Sequence, residues 1–190
     1  MPAVRSPAAN HDAGEVFTIG HSTHPPERFL ELLSAHRIAA LADVRSFPSS
    51  RRWPQFNQEQ LRASVERRGI EYHWLQKLGG RRRGLGDASP HLAWQHPAFR
   101  SYADYADTPE FEQGLGQLIA LARRARTAFM CSEGLWWRCH RRLISDRLLL
   151  LGWRVRHILP GGKLTDHALP AFARVLDGRL VYDRNPADDY

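Results

Sequence analysis

The chain has 190 residues, 43% of them apolar, which suits one domain with a real hydrophobic core. Its net charge is +7, and all but Lys77 and Lys163 of its 27 Lys and Arg side chains are arginines, a balance that points to a phosphorylated or polyanionic partner. Two cysteines are too few for a disulfide framework, no N-terminal stretch reads as a signal peptide, and no apolar run approaches about 20 residues, so neither export nor a membrane span is expected; cytoplasm is the expected compartment, with reduced thiols.

Residues 1–14 read as a disordered polar tail. Glu15-Val16-Phe17-Thr18-Ile19 is the first predicted strand, ending at Gly20-His21-Ser22. Ser22-Thr23 before Pro25-Pro26 predicts a helix start, with Phe29, Leu30, Leu32 and Leu33 on its apolar face to about His36. Ile38 to Val44 is a second strand, followed by an irregular loop from Ser46 to Asn57. Asn57 with Gln60 resembles a capping box for a helix that Gly69 stops. Glu71 to Leu75 is a third strand, leading into Leu78-Gly79-Gly80 and Arg81-Arg82-Arg83.

Residues 81–107 lack a clean period and read as an excursion or a small helical cover over the site. Thr108-Pro109-Glu110 starts another helix. Ala128-Phe129-Met130 is a buried strand, and a helical pattern runs from about Cys139 to Leu151. Trp153 to Leu159 is a fifth strand, and Arg179 to Tyr182 a weak last one. This alternation implies one three-layer α/β domain over residues 15–190, with a mainly parallel sheet of about five strands.

In such sheets, ligands bind beyond the C-terminal strand ends. The chemistry-bearing residues of this chain gather there: Gly20-His21-Ser22 after strand one, Asp43, Arg45, Arg51 and Asn57 after strand two, Gly79-Gly80 after strand three, and Cys131, Glu133 and Cys139-His140-Arg141 after strand four. Cys131 lies at a strand end and Cys139 in the first turn of a helix, where nearby arginines favour a thiolate; Cys131 is the candidate nucleophile or a wall of the site. His140 is a candidate acid or base, with Glu133 or Asp43 orienting it. Arg45, Arg51 and Arg141 suit an anion clamp, and His21 and Ser22 suit phosphate contacts at the first helix start.

Six residues separate Cys131 from Arg138, one more than the thiol-phosphatase spacing, so a phosphate loop of that type is not expected. Zinc is not expected either: there is no Cys-x-x-Cys pair, and adjacent Cys139 and His140 would diverge on a helix. No Gly-x-Gly-x-x-Gly follows strand one and no Gly-x-x-x-x-Gly-Lys-Ser/Thr motif occurs, so no dinucleotide cofactor is expected and an NTP-driven motor is not supported. Trp136 and Trp137 are candidates for stacking on a base, one of them being core.

Thr18-Ile19-Gly20-His21-Ser22, Asp43-Val44-Arg45 with Pro48 and Ser50-Arg51, Phe56-Asn57, Leu78-Gly79-Gly80 and Cys131-x-Glu133 followed by Cys139-His140-Arg141 together resemble domain-of-unknown-function family 488 over roughly residues 16–160. The resemblance implies a Rossmann-like α/β fold and a shared site, without an established reaction. The functional expectation is an enzyme acting on a phosphate-bearing substrate, a nucleotide or nucleic acid, in a Cys/His/Arg-lined pocket. The alternatives are a non-catalytic nucleic-acid-binding module, resting on the Arg81 to Arg83 run, and a thiol-based redox protein using Cys131 and Cys139.

Overall fold

A computed structural model of the chain describes residues 14–183. The reading of residues 1–14 as a tail thus lies, apart from Gly14, outside the described residues. The strands are β1 (Glu15–Gly20), β2 (Ala40–Asp43), β3 (Glu71–Trp74), β4 (Thr127–Cys131), β5 (Arg154–Ile158), β6 (Leu164–Asp166), β7 (Ala173–Leu176) and β8 (Arg179–Tyr182). The helices are α1 (Pro26–Ala35), α2 (Gln58–Glu66), α3 (Pro97–Ala106), α4 (Pro109–Arg124) and α5 (Arg141–Leu150).

A six-stranded sheet has the order β3-β2-β4-β1-β5-β6. β3, β2, β4, β1 and β5 run parallel, and β6 closes one edge antiparallel to β5. β7 and β8 form a separate hairpin.

The two-residue period of β1 assigns its side chains to opposite layers. Phe17 and Ile19 join Leu41, Ala128 and Met130 under α1 and α2, whose Phe29, Leu32, Leu33, Leu61 and Val65 complete that core. Val16 joins Ala42, Phe129 and Val155 on the other face, where α3, α4, α5 and the hairpin contribute Tyr102, Phe111, Leu118, Leu143, Leu148 and Tyr182. This is a three-layer α/β/α sandwich, as the alternation predicts. Within the 81–107 stretch, residues up to His96 stay irregular apart from a short 3-10 turn at Gly86–Ala88, and the remainder forms α3. α3 packs into the second core through Tyr102, Ala103 and Ala106.

Two local expectations give way to tertiary contacts. α1 starts after Pro25 with no side-chain cap, and Ser22 sits in the left-handed region at φ 48. Asn57 does cap α2 by position, but its side chain accepts no hydrogen bond from the helix. Its Oδ1 instead takes the Ser50 backbone N–H at 2.6 Å, which folds the 46–57 loop back on itself.

The chain travels from β1 outward to β2 and β3, then returns to insert β4 between β2 and β1; β5 lies on the far side of β1. The crossovers leaving β1 and β4 thus depart toward opposite edges, and a crevice opens at their C-terminal ends. In the pairing register Gly20 lies beside Cys131 and Asp43 beside Met130.

Candidate functional site

That crevice is a cavity of about 950 Å³, within the size range of ligand pockets. Among the described residues four arginines (Arg45, Arg52, Arg81 and Arg138) and one carboxylate, Glu133, line it, together with His21, Trp137, Cys131, Cys139 and His140. Its walls come from the ends of β1, β2 and β4, from the 46–57 loop, from Gly80 and Arg81 beyond β3, from the start of α3, and from the segment between β4 and α5.

At the floor, the Sγ atoms of Cys131 and Cys139 and the His140 ring lie within 4.8 Å of one another. His140 Nδ1 is 4.0 Å from Cys131 Sγ and 3.5 Å from Cys139 Sγ. Its Nε2 lies 2.9 Å from the Val44 carbonyl oxygen. A carbonyl only accepts, so Nε2 carries a proton, and Nδ1 is the ring nitrogen that faces the sulfurs.

The geometric objection to convergence of Cys139 and His140 fails because Cys139 is not helical. It is extended, at φ −129 and ψ 149, and α5 begins only at Arg141 with His140 as its N-cap. Gly80 makes room for this arrangement: a methyl group there would lie 2.5 Å from His140 Nδ1. The role of Gly80 is close packing of the imidazole. Gly20 has a similar role toward the Glu133 carbonyl, which a methyl group would overlap.

The two thiols ionise differently. Burial opposes ionisation of Cys139, but a hydrogen bond from Cys131 and the adjacent Arg141 guanidinium outweigh it and carry the thiol down to about 6. The hydrogen bond to Cys139, together with burial, pushes Cys131 up to about 12. The pair thus favours ionisation at Cys139 over Cys131.

The other expected site residues divide into structural supports and cavity groups. Asp43 is fully buried, and its carboxylate accepts from the Arg45 backbone N–H, from Arg45 Nε and Nη2, and from the Tyr72 hydroxyl. It is not bonded to His140. Glu133 accepts the Leu135 N–H with its side chain and makes no bond to His140 either; Val44 does the orienting that Glu133 or Asp43 was expected to do. Arg45, 5% exposed, borders the cavity while bonding Asp43 and the Phe56 carbonyl. Arg141 is buried and donates to Cys139 Sγ, Thr18 Oγ1 and the Glu133 carbonyl, so it positions the site and does not hold an external anion.

Arg51 is exposed and absent from the cavity wall, where Arg52 takes its place. Asn57 braces the loop as described, and Ser22 packs against Gly134 outside the wall. Gly79 packs against Ser46, whose hydroxyl accepts the Arg81 N–H. His21 is 2% exposed and stacks on Phe56 at 4.1 Å. Burial and then the Arg45 charge lower its pKa to about 4, so the ring is neutral at physiological pH. Nδ1 donates to the Ser22 carbonyl, which leaves Nε2 as a buried lone pair on the cavity wall without a partner among the described residues. It is an acceptor there, in contrast to the phosphate donor expected from sequence.

Neither tryptophan is core: Trp136 is half-buried and stacks on His157 at 4.0 Å, while Trp137 is 43% exposed on the cavity wall. Sequence reasoning missed Arg52, Arg138 and His96 as lining groups. It also missed a buried relay behind the floor. Thr18 donates to His157 Nδ1 (2.8 Å), His157 Nε2 to His167 Nδ1 (3.0 Å), and His167 Nε2 to Asp146 (2.7 Å), which also accepts from the Tyr182 hydroxyl. Arg141 links this chain of bonds to Cys139 through Thr18. Its members lie 139, 10 and 21 positions apart along the sequence, so no local spacing betrays them.

Among the described residues no helix is long and apolar enough to cross a membrane. A family model described as domain of unknown function DUF488 matches residues 25–148. No curated protein and no solved structure matches the chain.

Proposed function

The chain belongs to the DUF488 family, a domain of unknown function, and we propose that it is an enzyme acting on a phosphate-bearing substrate, a nucleotide or nucleic acid, in this cavity. The observation that carries the reading is the meeting of two kinds of chemistry in one concave space. Four arginines against a single carboxylate give the wall a positive potential, and the Cys131, Cys139 and His140 cluster forms its floor.

The roles divide accordingly. Arg52, Arg81 and Arg138 hold the anion, with Arg45 fixed behind them by Asp43. Trp137 offers a face for a base, and the free lone pair of His21 Nε2 accepts a substrate or water proton. The reading prefers a cavity ligand to docking along the Arg81 to Arg83 run. Arg82 is occupied: it donates to the Gln76, Lys77 and Gly79 carbonyls and lies 3.9 Å from the Tyr105 ring centroid.

The test is a panel of mononucleotides, phosphomonoesters and short oligonucleotides, scored for binding and turnover. Arg81→Ala and Arg138→Ala are expected to weaken binding and flatten its salt dependence while the fold survives. The reading fails if no member of the panel binds, or if both variants bind as the parent does.

A further inference from the structure

We propose that Cys131, Cys139 and His140 form a three-ligand site for a zinc-class divalent ion, with the fourth coordination position open to the arginine-lined cavity. This goes beyond the phosphate-substrate reading and does not depend on it.

The donor set is the first argument. Two thiol sulfurs and one imidazole nitrogen suit a borderline-soft ion, and a set with no oxygen donor disfavours magnesium or calcium. Both cysteines are free of a disulfide, and His140 turns Nδ1 toward them while the Val44 carbonyl engages Nε2.

Geometry is the second argument. Zinc–sulfur and zinc–nitrogen bonds of about 2.3 and 2.0–2.1 Å at a tetrahedral angle place sulfur and nitrogen about 3.6 Å apart. The observed separations from His140 Nδ1 are 3.5 and 4.0 Å, and the three donor atoms all lie within 4.8 Å of one another, so an ion fits once the two sulfurs draw together toward the separation of about 3.8 Å that tetrahedral zinc–sulfur bonds set.

The surroundings are the third. A metal-binding histidine usually donates its remote ring N–H to a fixed acceptor, which sets tautomer and orientation; Val44 O does this for His140. Gly80 leaves open the space against Nδ1 that a methyl group would fill. Arg141 Nε lies 3.4 Å from Cys139 Sγ and donates to it, a bond that favours the ligating thiolate.

All three ligands border the cavity, so the remaining position faces solvent and ligand. A closed structural site would use a fourth side chain; three protein ligands with an open place are the arrangement of reactive zinc sites, where a bound water is acidified. The site lies where β4 and the α5 N-cap converge, with backbone held by the sheet on one side and the helix on the other.

The test uses the full-length protein, reduced and stripped with a chelator, titrated anaerobically with Co²⁺ as a visible substitute for Zn²⁺. One equivalent is expected to produce thiolate-to-cobalt charge-transfer absorption and intense tetrahedral d–d bands, which one equivalent of Zn²⁺ erases and excess Mg²⁺ does not. Cys139→Ser and His140→Ala are expected to weaken or abolish the bands. A second readout needs no variant: Zn²⁺ is expected to protect both cysteines from iodoacetamide, resolved residue by residue by mass spectrometry.

A titration without charge-transfer absorption overturns the proposal, as does alkylation of both cysteines unaffected by saturating Zn²⁺. Rapid closure of a Cys131–Cys139 disulfide that Zn²⁺ does not slow also overturns it, and assigns the pair to redox chemistry. Metal binding without turnover of any phosphate compound leaves the site standing and counts against only the phosphate reading. Turnover in metal-free protein that binds no Co²⁺ does the reverse.

Discussion

Replacing Asp43 by asparagine separates a structural carboxylate from a catalytic one. Asp43 is completely buried, and its oxygens receive the Arg45 backbone N–H at 3.1 Å, Arg45 Nε at 2.9 Å and the Tyr72 hydroxyl at 2.7 Å. Burial and then the neighbouring carboxylate push the Tyr72 phenol far above its usual range, so it stays a donor. Asp43→Asn keeps the shape, removes the charge and leaves the Arg45 guanidinium without its counter-ion. Removing one partner of a buried ion pair costs about 3–5 kcal/mol. Arg45 borders the cavity and retains its bond to the Phe56 carbonyl, so the lower end, about 3 kcal/mol, is expected. For a chain of this length that is a fall in Tm of about 6–12 °C. Tyr72→Phe removes one of several donors and is expected to cost about 1 kcal/mol. The Asp43→Leu, Arg45→Met double variant is expected to be more stable than Asp43→Asn, because it removes both charges together. Urea denaturation of the three variants measures these differences. Asp43→Asn within about 1 kcal/mol of the parent would refute the reasoning, since a buried uncompensated guanidinium cannot be that cheap.

Gly80→Ala places a methyl group 2.5 Å from His140 Nδ1, so the ring must retreat and strain its bond to Val44 O; a loss of about 2–4 kcal/mol is expected, and an unchanged urea midpoint would contradict the packing argument. Acid should destabilise the fold before its carboxylates protonate. His21 has a folded pKa of about 4, lowered chiefly by burial, and His157 lies lower still for the same principal reason. Both take up protons near 6.5 when unfolded, so below that pH the unfolded state binds more protons and stability falls, each group contributing a slope approaching about 1.4 kcal/mol per pH unit down to its folded pKa. A urea midpoint that stays flat or rises between pH 7 and pH 5 would contradict this. Arg82→Ala should lower stability by about 1–2 kcal/mol through its lost carbonyl bonds, with anion affinity unchanged, whereas Arg81→Ala should do the opposite; paired melting and binding measurements check the contrast. His157→Ala strands the Thr18 hydroxyl and His167 Nδ1 in the core and should cost about 3 kcal/mol or more, and a smaller loss in calorimetry would mean that the relay relaxes around the gap.

The sequence alone determines a great deal of this fold. The apolar runs of β1, β2 and β4 and the three-to-four-residue spacing in α1 and α4 are local patterns, and strand-helix alternation leaves few ways to bury them. It also places His21, Asp43, Arg45 and Cys131 at strand ends, because those residues follow closely on apolar runs. What it leaves undecided depends on partners distant along the chain. Whether Arg45 clamps a ligand or Asp43 is settled by Tyr72 and the Phe56 carbonyl, which join the same buried knot across the sheet. Which cysteine ionises more readily depends on the neighbouring Cys131 thiol and then on Arg141, whose nearness to Cys139 Sγ depends on extended backbone just before α5. The same extended residue turns Cys139 and His140 toward one point, where helical spacing would have parted them. The Thr18, His157, His167 and Asp146 relay has no local signature, since hydrogen bonds between buried side chains form only after packing has fixed which strands and helices meet.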